Sequence, residues 1–188
     1  MTKLFTGVAA AACIASFALT GCHAGPSKGD IKDALNTGLA KDGSVCWSVT
    51  DRNAVFPLRV SADMQHIHPI LLGMRKEGYV ALSRVTATGF FGGDILQVQV
   101  TPAGAGKNVW TPGQGFCVGR KVVDEVRQWT VPSSVEGMSV TYVDFTWKVD
   151  DLPGWANRDD FAGVDGMRAP VAAKVALVKT NSGWQVQQ

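Results

Sequence analysis

The feature that most limits how this chain can fold is the placement of its four cysteines, at positions 13, 22, 46 and 117. Cys13 lies inside a small-residue, apolar run from Leu4 to Ala18, preceded by Met1-Thr2-Lys3 and followed by Leu19-Thr20-Gly21-Cys22. One positive charge, an apolar stretch and a small-residue cleavage point make a secretory signal. The stretch falls short of the roughly 20 residues that a permanent span requires. Export places the rest of the chain in an oxidising compartment, where an even pair of cysteines is expected to join. Cys46 and Cys117 are that pair. Their separation of 71 residues gives roughly 4 kcal/mol of stabilisation in the chain-entropy model. Two free thiols or a metal site fit less well, because no C-x-x-C spacing and no neighbouring histidine accompanies either cysteine.

A cysteine directly after Leu19-Thr20-Gly21 resembles the lipobox of bacterial lipoproteins. The likeness covers residues 1–22 and implies cleavage before Cys22, lipidation of Cys22, and attachment to a membrane through the acyl chains. His23 stands where an aspartate would retain such a protein at the inner membrane, so the resemblance implies the outer membrane, facing the periplasm. Residues 23–28, rich in Gly, Pro and Ser, then act as a tether that reaches about 20 Å at most.

Beyond the tether, hydrophobic spacing suggests the order of elements. Ser27 or Asp30 can cap a helix over 31–39 with Ile31, Ala34, Leu35 and Leu39 on one face. Short strands are expected at 45–49 and 56–60, and a second helix at 70–77, opened by Pro69 and closed by Gly78. A hairpin follows, with arms at 79–88 and 95–101 and Phe90 and Phe91 at its glycine-rich tip. This helix, strand, helix and hairpin order over 29–104 resembles the winged-helix layout, in which the second helix reads DNA and the hairpin is the wing. Residues 105–116 read as a linker. The remainder, 117–188, reads as antiparallel β: strands at 117–131, 138–149, 171–180 and 184–186, with a turn or short helix from Asp150 to Phe161. In the strand at 138–149, Val143, Phe145, Trp147 and Val149 share one face, while Val140, Tyr142, Asp144 and Lys148 share the other. The expected fold class is α+β: a winged-helix-like N-terminal lobe and a mostly antiparallel sheet with a short helix, stapled by Cys46–Cys117.

Charge and chemistry narrow the function classes. The formal net charge is +2, and one of those charges, Lys3, belongs to the leader. Such a balance gives no electrostatic basis for nucleic-acid binding. The winged-helix likeness does not supply one either, since Arg75 and Lys76 are offset by Glu77 and the wing carries only Arg84 and Asp94. Gly25-Pro26-Ser27-Lys28-Gly29 matches G-x-S-x-G without the strand that a nucleophile elbow requires. Gly113-x-Gly115 misses the dinucleotide fingerprint. The acids Asp150, Asp151, Asp159, Asp160 and Asp165 lack the alternate spacing of a calcium loop, so turn capping explains them better. His66 and His68 form a candidate metal pair, whose bland reading is a helix entry before Pro69.

No reactive constellation stands out and no cofactor is expected. The leading reading is a membrane-anchored, non-enzymatic envelope protein that binds or stabilises another envelope protein, with Phe90 and Phe91 as the partner contact. An inhibitor or immunity-like role is one version of it. The alternatives are a cell-wall-acting enzyme built on His66 or His68 with an acid such as Asp159, and a periplasmic carrier of a small ligand or metal.

Overall fold

The computed structural model describes residues 25–41, 43–61, 67–86 and 93–187. In chain order the elements are α1 (Lys28–Lys41), β1 (Ser44–Trp47), β2 (Leu58–Ser61), α2 (Pro69–Lys76), β3 (Val80–Thr86), β4 (Asp94–Val100), α3 (Pro102–Gly106), β5 (Phe116–Trp129), β6 (Ser133–Val135), β7 (Met138–Asp150), β8 (Val171–Thr180) and β9 (Gly183–Val186). Among the described residues the fold is sheet-rich, with three helices, two antiparallel sheets and the Cys46–Cys117 disulfide.

The larger sheet runs β1-β5-β7-β8-β9, with β6 paired to β7 off that path. Its centre is β7, whose alternating pattern places Val143, Phe145 and Val149 in the interior and leaves Tyr142 exposed. Two register shifts against β7, between Val123 and Glu125 and between Val126 and Gln128, bend the 14-residue β5. Glu136 and Gly137, both at positive φ, make the tight turn between β6 and β7. The smaller sheet runs β2-β4-β3.

Two apolar cores follow. Helix α1 is held at its start by a reciprocal cap. Ser27 Oγ accepts from Asp30 N at 3.1 Å, and Asp30 Oδ2 accepts from Ser27 N at 2.9 Å. Its stripe of Ile31, Ala34 and Leu35 covers Val123, Val126, Val143, Phe145 and Leu177 of the large sheet. Helix α2 sends Ile70, Leu71 and Met74 into the second core, with Val80, Val98, Phe116, Val149 and Phe161.

A helix-and-wing unit over 29–104 requires both helices in one core, and here they enter different ones. Strand β1 also leaves that span, pairing with β5 where Cys46 faces Cys117 and Trp47 faces Phe116. The physical reason is that a stripe of apolar residues states only that a helix must be covered. The large sheet offers α1 a broader apolar face than the eight-residue α2 does. What stays together from the expected lobe is β2, α2, β3 and β4.

The stretch 105–116, expected to link two lobes, is packed. Val109 and Phe116 are buried, and Trp110 meets Phe56 at 5.1 Å and Phe116 at 5.1 Å, edge-on in each case. Residues 151–170, expected to hold a turn or short helix, form successive turns that close over α2.

Candidate functional site

Of the residues singled out from sequence, Cys22, His66, Phe90 and Phe91 lie outside the described residues. His68 is described and half-buried at the entry to α2. Its Nδ1 accepts a hydrogen bond from Ile70 N at 3.2 Å, and burial pushes its pKa below the ordinary histidine value. This neutral, accepting imidazole caps a helix whose first turn begins with Pro69. Among the described residues, no group of three or more His, Cys, Asp or Glu is placed to hold a metal ion.

The acids of 150–165 are dispersed among separate partners. Asp151 pairs with Arg120, and Asp159 pairs with Arg168 at 3.4 Å on the surface. Arg158 donates to the carbonyls of Met167 and Val149 at 2.8 and 2.9 Å, tying the turns back to β7. Asp160 meets Lys76 and Asn157 beside Glu77 at the end of α2. The hydrogen bond shared with Glu77, followed by those from Lys76 and Asn157, holds the Asp160 carboxyl well below the usual carboxylate range. The same contact with Asp160, with some desolvation, raises Glu77. Two carboxyl groups sharing one proton can serve acid–base chemistry. Here the surrounding bonds have a structural explanation: Phe161 lies buried on Gly73, Trp155 meets Tyr79 edge-on at 5.9 Å, and the polar group fastens the rim of that contact.

A concavity lies elsewhere. A groove of about 720 Å³ runs alongside α1 against β8 and β9. One wall is the helical stripe Asp30, Asp33, Thr37 and Lys41, residues three or four apart and therefore on one face. Val175, Trp184 and Val186 form the opposite wall, and Phe145 lies at the base. The helix can sit this close to β9 because position 38 is glycine; a Cβ there would lie 2.6 Å from Val186 Cγ2. Beside this groove, a second hollow of about 490 Å³ shares Phe145 and Lys174 with it. Lys174 pairs with Asp144 at 3.2 Å, and a hydrogen bond from Gln128, then Lys174 itself, lowers the Asp144 pKa. The Ser27 hydroxyl likewise lowers Asp30 at the groove's end.

The groove therefore has an apolar base and a rim of mixed charge. Among the described residues lining it are no histidine and no cysteine; its ionisable groups are Asp30, Asp33, Lys41 and Lys174. That composition can bind by shape, apolar contact and ion pairing. Sequence reading identified the helix and its buried stripe, but not this wall. The polar spacing Asp30, Asp33, Thr37, Lys41 was legible as one helix face, whereas the residues facing it come from more than a hundred positions away.

Comparison with protein-family models, with curated proteins and with solved structures finds no match for this chain.

Proposed function

We propose that the mature chain is a lipid-anchored envelope protein, held through Cys22 at a bacterial membrane, that binds a segment of another envelope protein without catalysing a reaction. The observation that carries this reading is the α1–β9 groove, whose volume and apolar base suit the side chains of an inserted segment and whose rim offers charge of both signs. The β2-β4-β3 sheet with α2 serves as scaffold. Phe90 and Phe91 provide a second contact surface. The runner-up is a small-ligand carrier, favoured by the same groove because its volume lies within the usual range of ligand sites, about 300–1,000 Å³.

The test is affinity capture on oxidised residues 24–188 from detergent-solubilised envelope of the host. The expected result is one protein retained stoichiometrically and lost when Thr37→Trp fills the groove. Retention that survives Thr37→Trp but not Phe90→Ser with Phe91→Ser moves the surface to the hairpin tip. Failure to retain any protein, combined with thermal stabilisation by small molecules that Thr37→Trp abolishes, would replace the binding-protein reading with the carrier.

A further inference from the structure

One end of the large sheet departs from the rest of the surface. Eight large hydrophobic residues are exposed among the described residues, and five of them fall between positions 129 and 142: Trp129, Val131, Val135, Met138 and Tyr142. Val131 is the most open, at 88% exposure. These fourteen positions carry a single charge, Glu136. They are also adjacent in space, since Val135 faces Met138 across the β6–β7 turn and Thr130 N donates to Tyr142 O at 3.0 Å. Water-exposed apolar residues gathered at one end of a sheet, with a tryptophan and a tyrosine among them, have the character of an interfacial surface.

The path of the chain places this end beside the anchor. Gly25 packs on Pro132, close enough that a Cβ on Gly25 would lie 3.2 Å from Pro132 Cδ, and Pro26 is buried. The tether therefore meets the folded body at the β5–β6 connection, in the middle of the apolar stretch. Only three peptide steps separate Cys22 from Gly25, a reach of about 10 Å at full extension. A body tied so closely at this point has little freedom to turn another face to the bilayer.

From this geometry we propose that the sheet end formed by Trp129, Val131, Val135 and Met138 lies in the interfacial layer of the bilayer that holds the Cys22 acyl chains. The proposal rests on the anchored reading above. It makes attachment a two-part device. The acyl chains supply the affinity, and the apolar sheet end fixes the orientation, with β5 rising from the surface and the β1–β2 loop at its far end. Thirteen residue steps along β5 separate the two ends, about 40 Å of strand.

The experiment uses the full chain, processed in its host and reconstituted in vesicles of neutral and anionic phospholipid. Mass spectrometry first reads acylation of Cys22. An environment-sensitive dye is then placed at Val131→Cys in one sample and at Val55→Cys in another. Val55 is a matched control, 80% exposed and located in the β1–β2 loop. Neither substitution disturbs a core. The expected result is an acylated Cys22, blue-shifted emission at position 131 with several-fold quenching by nitroxide-labelled lipid, and a water-like signal at position 55. Acylated protein whose two positions both remain water-like overturns the docking surface and leaves the anchor standing. Shielding of position 131 that arises only after other envelope proteins are added also overturns it, assigning the surface to a protein partner. An unacylated Cys22 overturns both readings.

Discussion

Gly73 sets two opposing effects against each other, and the structure decides between them. Replacing a glycine inside a helix by alanine stabilises it by about 1 kcal/mol through backbone entropy and propensity. On α2, however, a Cβ at position 73 would lie 2.5 Å from Phe161 Cδ1, 2.7 Å from Cε1 and 2.9 Å from the Asp160 carbonyl oxygen. Ordinary carbon–carbon contact begins near 3.5 Å, so the ring must retreat by about 1 Å. It has no free space to enter, because Phe161 is fully buried and packs edge-on against Trp155. The carbonyl contact demands a backbone shift in the overlying turns as well. Overpacking of this kind costs about 1–3 kcal/mol and commonly exceeds the helix gain. Gly73→Ala should therefore destabilise the protein by about 1–2 kcal/mol. Phe161→Leu alone should cost less than the roughly 3–5 kcal/mol of a truncation to alanine. Together they should be less harmful than their sum by at least about 1 kcal/mol, since the new methyl occupies space the ring vacated. Urea unfolding followed by tryptophan fluorescence gives all four free energies, provided the slope with denaturant is unchanged. A Gly73→Ala protein more stable than the parent, or a strictly additive double variant, would refute the packing of residues 151–170 over α2.

Two further outcomes follow from the same structure. Cys46→Ala with Cys117→Ala should lower stability by about 4 kcal/mol, because opening the 71-residue loop restores conformational freedom to the unfolded chain; a loss below about 1 kcal/mol in denaturant titration would mean that the unfolded chain keeps those two segments together. His68 has a folded pKa depressed by burial, so the unfolded state binds its proton more readily and stability should fall as pH drops from about 6.5 through the folded value. Protonation also removes the Nδ1 acceptor that caps Ile70 N. His68→Asn preserves a capping acceptor that does not titrate, and should flatten the stability curve as pH falls below about 6.5; an unchanged slope would assign that dependence to another group.

How far the sequence could be read depended on whether a signal was local. The strand at Val171–Thr180 falls where its boundaries were expected, because its mostly apolar stretch ends at the polar turn Asn181-Ser182. The alternation in β7 survives in part: Val143, Phe145 and Val149 are buried and Tyr142 is exposed, but Val140 and Thr146, on the face of Tyr142, are buried as well. The Cys46–Cys117 bond was legible from the count of cysteines together with the expectation of export. Helix α3 had a legible start in Thr101-Pro102, and Thr101 Oγ does accept from Gly104 N at 3.1 Å. Its Gly-Ala-Gly interior concealed it, since such residues carry weak helix preference. Pro132-Ser133-Ser134 has the composition of a turn, and only pairing with β7 makes Ser133–Val135 a strand. The destination of α1 had no local signal at all. Its apolar face could be read, but which of two sheets covers that face is settled by long-range packing, and the groove is a product of that choice.

The groove and the proposed bilayer-facing end are geometrically linked. From its contact with Pro132 the chain enters α1 directly, so the helix that follows Gly25 is also the groove's wall. Strand β8 pairs Val140 with Val178 and turns back at Asn181-Ser182 into Gly183, which puts the Ser182 end of the groove at the same end of the sheet as Met138. Asp30 and Asp33 mark the start of the helix wall and Lys41 marks its far end. Under the proposed anchoring at Cys22, the acidic end of the groove would be held near the headgroups and the basic end would face away. A partner segment seated there meets opposite charge in only one direction: its basic residues toward the membrane and its acidic residues away from it. A membrane-attached partner whose lysines and arginines flank the point where it leaves the bilayer satisfies that direction without unfolding either body. Reversing the groove's charges should thus impair recognition of the partner while leaving attachment to the membrane unchanged, because the anchor and the apolar sheet end contribute nothing to the charge match.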